Sequence, residues 1–231
     1  MPNAFNAISR FIMQFFKSKQ KIAPLPGSRG ERNLQRRFGT LNKATSFYNK
    51  QMLPYLAPRM MNFVEEQDMF FMSTADANGE CDCSPRFGDK GFVTVLDSKT
   101  LIFPDFRGQG VMAGAGNIVE NGHVGMLFMD YSRPIGLHVN GKADIIFKEK
   151  LSRRYPKPVV RRIQKNIFVE KTDFYLIVTV EESFIHCAKH IPVMEKVDRK
   201  RYWGTDNLIQ KGGDAFEVKD LPRPWVKKVE N

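Results

Sequence analysis

The stretch CDCSPRFGDKGF, which begins at Cys81, places two thiols, a hydroxyl and a guanidinium close together. Side chains alternate between the faces of a strand, so Cys81 and Cys83 would share one face, and Asp82, Ser84 and Arg86 the other. A hydroxyl beside a guanidinium suits a phosphate, because arginine offers a fork of donors. The plainer interpretation is an ordinary surface arginine at a strand end.

The two cysteines do not by themselves predict a metal centre. Structural zinc takes four ligands, and the remaining candidates show no paired ligand spacing: Cys187, His123, His138, His186 and His190. We therefore expect no metal, and we expect Cys81 and Cys83 to be small apolar packing residues. Three cysteines cannot all pair, which favours reduced thiols and a cytoplasmic protein.

A second segment that could bind an anion is FPDFRGQGVMAGAGNIVENG, which follows Ile102. Arg107 is followed by Gly108 and Gly110, so the backbone there can approach a ligand closely. A helix predicted to begin near Val111 or Met112 would place free N–H groups close to Arg107 and Gln109. The alternative is a glycine-rich connector, and the segment has neither a Walker loop nor a dinucleotide fingerprint.

The chain is strongly basic, with 36 Lys and Arg against 25 Asp and Glu in 231 residues and a formal charge of +11. This excess attracts anions of several classes, including nucleic acid, an anionic membrane surface and phosphorylated ligands. No apolar run approaches the roughly 20 residues that cross a bilayer. We also expect no secretory signal, because no compact apolar segment near the start precedes a cleavage site.

The first thirty residues contain no Asp or Glu. Apolar residues recur there at helical spacing, which predicts an amphipathic helix: Phe5, Ile8, Phe11, Ile12, Phe15 and Phe16. This helix either contacts a membrane surface through residues 1–20 or packs on the domain or a partner subunit. We favour packing.

The segment Lys148–Lys171 is also basic, with nine Lys and Arg against Glu149 and Glu170. A nucleic-acid surface is one interpretation. Few aromatic residues and no nucleic-acid motif accompany the charges, so we favour a solvated, partly helical crossover between two strands and expect no nucleic-acid partner.

Strand periodicity begins at Met69. Three hairpins follow, and FYLIVTVEESFIHC predicts a last long strand. A linker is predicted over residues 23–33, one helix over residues 34–48, and a short helix within PYLAPRMMNFVEEQ. The fold class is therefore mainly β with flanking helices: an antiparallel sheet of about six to seven strands that should close into a small barrel.

The combined segments resemble the pyridoxamine 5′-phosphate oxidase-like flavoprotein family, most clearly over Met60–Phe147. ESFIHCAKHIP, which starts at Glu182, extends the resemblance to a subgroup with a His-Cys-x-Lys motif. The resemblance implies a split β-barrel of the FMN-binding type and a homodimer with FMN at the subunit interface. It divides the chain into an N-terminal helix and linker (1–30), a flavin-binding domain (31–195) and a C-terminal extension (196–231).

The resemblance also implies the cofactor-binding residues. Ser84 and Arg86 match the family's Ser-Pro-Arg segment, and Trp203 is the tail aromatic expected to lie over a flavin or to anchor the tail. The full set is Ser84, Arg86, Lys90, Asp105, Arg107, Gly108, Gln109, Asn117 and Trp203. His138 stands where an Arg is common, and Gln109 where many relatives have Asn.

The function implied is that of an FMN-dependent oxidoreductase, which moves hydride or electrons between a reduced donor and a small organic substrate. The catalytic residues are unknown. The Arg-x-His element of pyridoxine-phosphate oxidase itself is missing from the tail, so we do not expect that activity. The alternatives are a non-enzymatic flavin or heme binder, with His138 or His186 as iron ligand, and a basic membrane-surface protein.

Overall fold

The computed structural model describes residues 25–106, 110–167, 169–197 and 200–225. The chain divides into two compact units, Met1–Gln51 and Met52–Asn231. The amphipathic helix predicted near the N-terminus lies outside the described residues, as do Arg107, Gly108 and Gln109.

The described part of the first unit, residues 25–51, contains two short helices, α1 (Arg29–Arg37) and α2 (Leu41–Gln51). Ser28 begins α1 with a capping box, in which its hydroxyl accepts from the Glu31 N–H and the Glu31 carboxylate accepts from the Ser28 N–H. The prediction of one continuous helix is wrong, because the chain breaks at Gly39, whose φ is +64°. The predicted linker is also too long, since α1 begins within it.

The second unit is a sheet with flanking helices, which confirms the predicted fold class. Its helices are α3 (Pro58–Glu66), α4 (Ala113–Glu120), α5 (Leu151–Arg154) and α6 (Lys157–Gln164). Its strands are β1 (Met52–Leu53), β2 (Met69–Ala75), β3 (Cys81–Phe87), β4 (Thr94–Asp97), β5 (Thr100–Phe106), β6 (His123–Asp130), β7 (Ile135–Phe147) and β8 (Thr172–His186). The eight strands exceed the six to seven expected, and the two-residue β1 is too short to show a strand period.

The sheet is antiparallel in the order β3-β2-β6-β7-β8-β5-β4, and β1 pairs with β8. Within the described residues β3 and β4 are the open edges, so hydrogen bonding does not close the barrel that we expected. The sheet nevertheless curls around one core. Phe70 on β2 lies 5.0 Å from Phe103 on β5, between ring centroids, although three strands separate β2 from β5 in the sheet order.

The outer face near β5, β7 and β8 carries a second apolar cluster, which includes Ile102, Tyr175, Leu151 and Ile163. Leu151 on α5 and Ile163 on α6 are buried, whereas most of the basic side chains between β7 and β8 are exposed. The basic segment is therefore a strand crossover whose apolar side packs on the sheet, as expected. None of the described helices is long and apolar enough to cross a membrane.

Candidate functional site

Strand alternation on β3 places the predicted residues as expected. Ser84 and Arg86 are half-buried on the inner face, together with Asp82. Cys81 and Cys83 are exposed on the opposite face. The prediction that Cys81 and Cys83 are small apolar packing residues is wrong for the described chain, because both lie on the outer face of the edge strand β3, which no described element covers.

Arg86 forms an ion pair across the cleft with Asp105 at the end of β5. The distance from Arg86 Nη2 to Asp105 Oδ2 is 3.4 Å, and the two side chains are 22% and 18% exposed. Burial raises the pKa of Asp105, the Arg86 guanidinium opposes this rise, and the charge of Asp173 adds to it. The Arg86 guanidinium thus stabilises the negative charge of Asp105 only in part.

Two buried polar atoms of this site have no hydrogen-bond partner in the structure, Ser84 Oγ and Arg86 Nε. Buried polar groups are almost always bonded, and an unpaired one costs about 1–3 kcal/mol. Both atoms belong to side chains on the same face of β3, and both are donors that an anionic oxygen would satisfy.

A cleft of about 640 Å³ lies between this face of β3 and the start of α4. Met112 precedes α4 in the left-handed region, with φ of +55°, which is uncommon for a side chain of this size and frequent at ligand sites. A Cβ at Gly114 would lie 3.2 Å from Arg86 Nη2, so the missing side chain lets the helix backbone approach the guanidinium.

An aromatic hollow of about 470 Å³ shares Arg86, Asp105 and Phe106 with this cleft. The rings of Phe106 and Trp203 lie 5.1 Å apart between centroids. The Arg201 guanidinium lies 5.3 Å from the Trp203 ring centroid and donates to the Gly88 carbonyl at 3.1 Å. The C-terminal segment therefore holds an aromatic side chain beside Arg86.

The structure brings together four of the predicted residues: Ser84, Arg86, Asp105 and Trp203. Lys90 is exposed and lines a different hollow, near Asp130 and Arg133. Asn117 donates to the Thr74 hydroxyl at 3.1 Å, which ties α4 to β2.

Sequence reasoning missed several residues of the cleft. Asp82 could have been chosen, because alternation already placed it beside Ser84. Asp173 and Asp206 reach the cleft from β8 and from the C-terminal segment, and nothing local in the sequence indicates this. Four carboxylates therefore line the larger cleft with Arg86: Asp82, Asp105, Asp173 and Asp206.

Two histidines on the outer sheet face contact each other. His138 Nε2 and His186 Nδ1 are 2.9 Å apart, and the His138 ring stacks on Phe184 at 4.6 Å between centroids. Burial and the neighbouring His186 lower the pKa of His138, so this imidazole stays neutral to a more acidic pH than usual. Among the described residues, no cluster of three His, Cys, Asp or Glu side chains could hold a metal ion.

Comparisons with known proteins define the family. A family model described as pyridoxamine 5′-phosphate oxidase matches residues 56–183, more than half of the chain. The match ends at residue 183, so the His-Cys-x-Lys subgroup stays a prediction. A comparison with curated proteins gave no match.

Solved structures of similar fold come from several bacteria. HupZ from Group A Streptococcus is 23% identical, with 56% of this chain and 94% of that chain covered and a TM-score of 0.42. A putative pyridoxamine 5′-phosphate oxidase from Lactobacillus delbrueckii is 19% identical, with coverages of 58% and 98% and a TM-score of 0.43. The heme storage protein HutZ from Vibrio cholerae is 16% identical, with coverages of 56% and 94% and a TM-score of 0.36.

Proposed function

Since this chain belongs to the pyridoxamine 5′-phosphate oxidase family, we propose that it is an FMN-dependent oxidoreductase whose cofactor lies in the cleft between β3, α4 and the C-terminal segment. The observation that carries the proposal is the pair of buried, unpartnered donors, Ser84 Oγ and Arg86 Nε. A phosphate would satisfy both, and charge-assisted hydrogen bonds of this kind are the strong ones.

Ser84 and Arg86 would hold the phosphate end of FMN, and Gly114 leaves room for close approach to the guanidinium. The loop of Arg107, Gly108 and Gln109, which the family resemblance places around the phosphate, follows directly after Phe106 in the sequence. Arg107 would supply a second cation against the carboxylates of the cleft.

Phe106 and Trp203 form the aromatic wall against which a flavin ring can pack, 5.1 Å apart between centroids. When bound, FMN supplies the hydride or electron transfer, while the protein supplies position and polarity. The chain's own contribution is to orient the ring and exclude water. We assign no general acid or base, and the substrate is a small organic molecule that must reach the ring from the open side.

We further propose that the chain forms a homodimer through the outer face of its sheet. Across β3, β2, β6, β7 and β8, one row of outward-facing residues is largely apolar: Pro85, Phe71, Leu127, His138 and Phe184. Phe87, beside that row on β3, is 43% exposed. An exposed apolar sheet face indicates an association surface, and it adjoins the cleft through Pro85 and Phe87, which line the aromatic hollow.

The histidine pair supports a second candidate function, heme binding without turnover. Imidazole is a common axial ligand of heme iron, and an apolar sheet face suits a porphyrin. His138, which is neutral over a wide pH range, or His186 would be the ligand. Because the pair lies on the outer sheet face, this site would differ from the Arg86 cleft.

Absorption spectroscopy of the purified chain separates the two candidates. We expect a flavin spectrum after FMN is added and gel filtration removes the excess, and bleaching of that spectrum by NADH or NADPH. A Soret band that appears with hemin and disappears in His186→Ala would instead support heme binding. A protein that retains neither chromophore would reject both candidates.

We also propose a cytoplasmic location. All three cysteines are free and exposed, which suits a reducing compartment. Peripheral membrane contact through residues 1–20 can be tested by liposome sedimentation of the chain with and without those residues.

A further inference from the structure

We infer that Asp105 competes with the ligand's phosphate for Arg86, and that this internal competition sets how tightly the cleft binds phosphate. The inference rests on the proposed flavin site and concerns the strength of its phosphate contact. Arg86, the cation best placed to bind the phosphate, already has an anionic partner in the folded chain: its Nη2 lies 3.4 Å from Asp105 Oδ2.

The geometry of the guanidinium makes this a competition. Arginine binds phosphate most strongly through two parallel N–H donors, such as Nε with one Nη. Nε of Arg86 is buried and unpartnered, whereas Nη2 faces Asp105. Nη2 carries two N–H groups, so a phosphate that uses Nε and Nη2 either takes the place of the Asp105 carboxylate or lies directly beside it, and in both arrangements the two anions oppose each other.

The existing ion pair is weak enough to be displaced. Its 3.4 Å separation is longer than a good charge-assisted hydrogen bond, and both side chains keep some solvent exposure. Burial raises the pKa of Asp105, so its charged form is poorly stabilised where it stands. The carboxylate therefore lowers the affinity for phosphate without abolishing it.

Other charged groups face the pair from each surrounding element. β3 contributes Asp82, β8 contributes Asp173, and the C-terminal segment contributes Asp206, Lys200 and Arg201, while the start of α4 contributes no ionisable side chain. Asp173 lines the same cleft but makes no ion pair with Arg86. It thus offers a matched control for the loss of one negative charge.

The experiment compares FMN with riboflavin, which lacks the phosphate, by flavin fluorescence titration of the wild-type chain, Asp105→Asn and Asp173→Asn at neutral pH. Asp105→Asn should tighten FMN about two- to fivefold, the range expected for a partly exposed pair. Riboflavin affinity should not change, and Asp173→Asn should change FMN affinity by less than Asp105→Asn does. Unchanged or weaker FMN binding by Asp105→Asn, or an equal gain for riboflavin, would overturn the inference.

A second measurement keeps this inference separate from the proposed function. If neither flavin binds any of the proteins, the proposed function fails, and inorganic phosphate becomes the probe. Phosphate should then raise the thermal unfolding midpoint of Asp105→Asn more than that of the wild type, relative to sodium chloride at equal ionic strength. Equal increases in the two proteins would overturn the inference as well.

Discussion

Replacing Ser84 by alanine tests whether the cleft was shaped for a ligand. Ser84 Oγ is buried and has no partner, so the free protein bears part of the roughly 1–3 kcal/mol cost of an unsatisfied polar group. Since the residue as a whole is only half-buried, we take the lower end of that range. Ser84→Ala should therefore raise the free energy of unfolding of the ligand-free chain by about 1 kcal/mol.

Ser183 offers a matched control, because the same substitution should have the opposite effect there. Ser183 is fully buried on β8, and its hydroxyl donates to the Tyr55 carbonyl at 2.6 Å. Ser183→Ala leaves that carbonyl without its donor and should lower the free energy of unfolding by about 1–2 kcal/mol. The two variants should thus differ by about 2 kcal/mol.

Urea unfolding followed by tryptophan fluorescence measures this difference. With a denaturant slope of about 2 kcal/mol per M, the midpoints of the two variants should lie about 1 M apart, on either side of the wild type. With FMN added, the Ser84→Ala midpoint should fall below that of the wild type, because this variant loses a contact to the phosphate. A Ser84→Ala midpoint as far below the wild type as that of Ser183→Ala would show that Ser84 is bonded in the free protein, and the reasoning from unpartnered donors would fail.

Two further predictions concern the scaffold. Gly141→Ala should lower the free energy of unfolding by about 3 kcal/mol or more, because the new Cβ would lie 2.0 Å from the Thr179 carbonyl oxygen. Gly116→Ala is the control, since a Cβ there would meet no heavy atom within 4 Å. It should stabilise α4 by about 0.5–1 kcal/mol in the same urea assay. Burial alone would raise the pKa of Asp130, but hydrogen bonds from Ser132 and Arg133 lower it from 3.8 to about 2. The stability that Asp130 contributes should therefore be complete above about pH 4 and be lost as the pH falls towards 2, and an equally steep acid loss in Asp130→Asn would contradict this.

The hairpins could be predicted because each depends on local signals. Alternating apolar residues and the Asp76–Gly79 turn predicted β2 and β3, and the same alternation placed Ser84 and Arg86 on the inner face. The break at Gly39 was missed, because a glycine within a helical pattern does not reveal its backbone angle.

The composition of the cleft was harder to predict, because its residues come from distant parts of the chain. Asp105 and Asp173 meet only because β5 pairs with β8, which sets Asp105 opposite Phe174. Lys90 was assigned to the cofactor site by its position in a motif, but it projects into a different hollow. Motif positions thus indicated the strand that lines the cleft, while tertiary contacts decide which charges surround it.

We propose above that FMN binds through the Arg86 side of β3, and equilibrium titration of FMN into Arg86→Ala and Lys90→Ala tests this most directly. A hydrogen bond to a charged group contributes about 1.5–3 kcal/mol, so Arg86→Ala should weaken FMN binding at least about tenfold. Lys90→Ala should weaken it by less than about twofold, the screened effect of one exposed charge. An unchanged FMN affinity in Arg86→Ala, or a larger loss in Lys90→Ala, would contradict the claim.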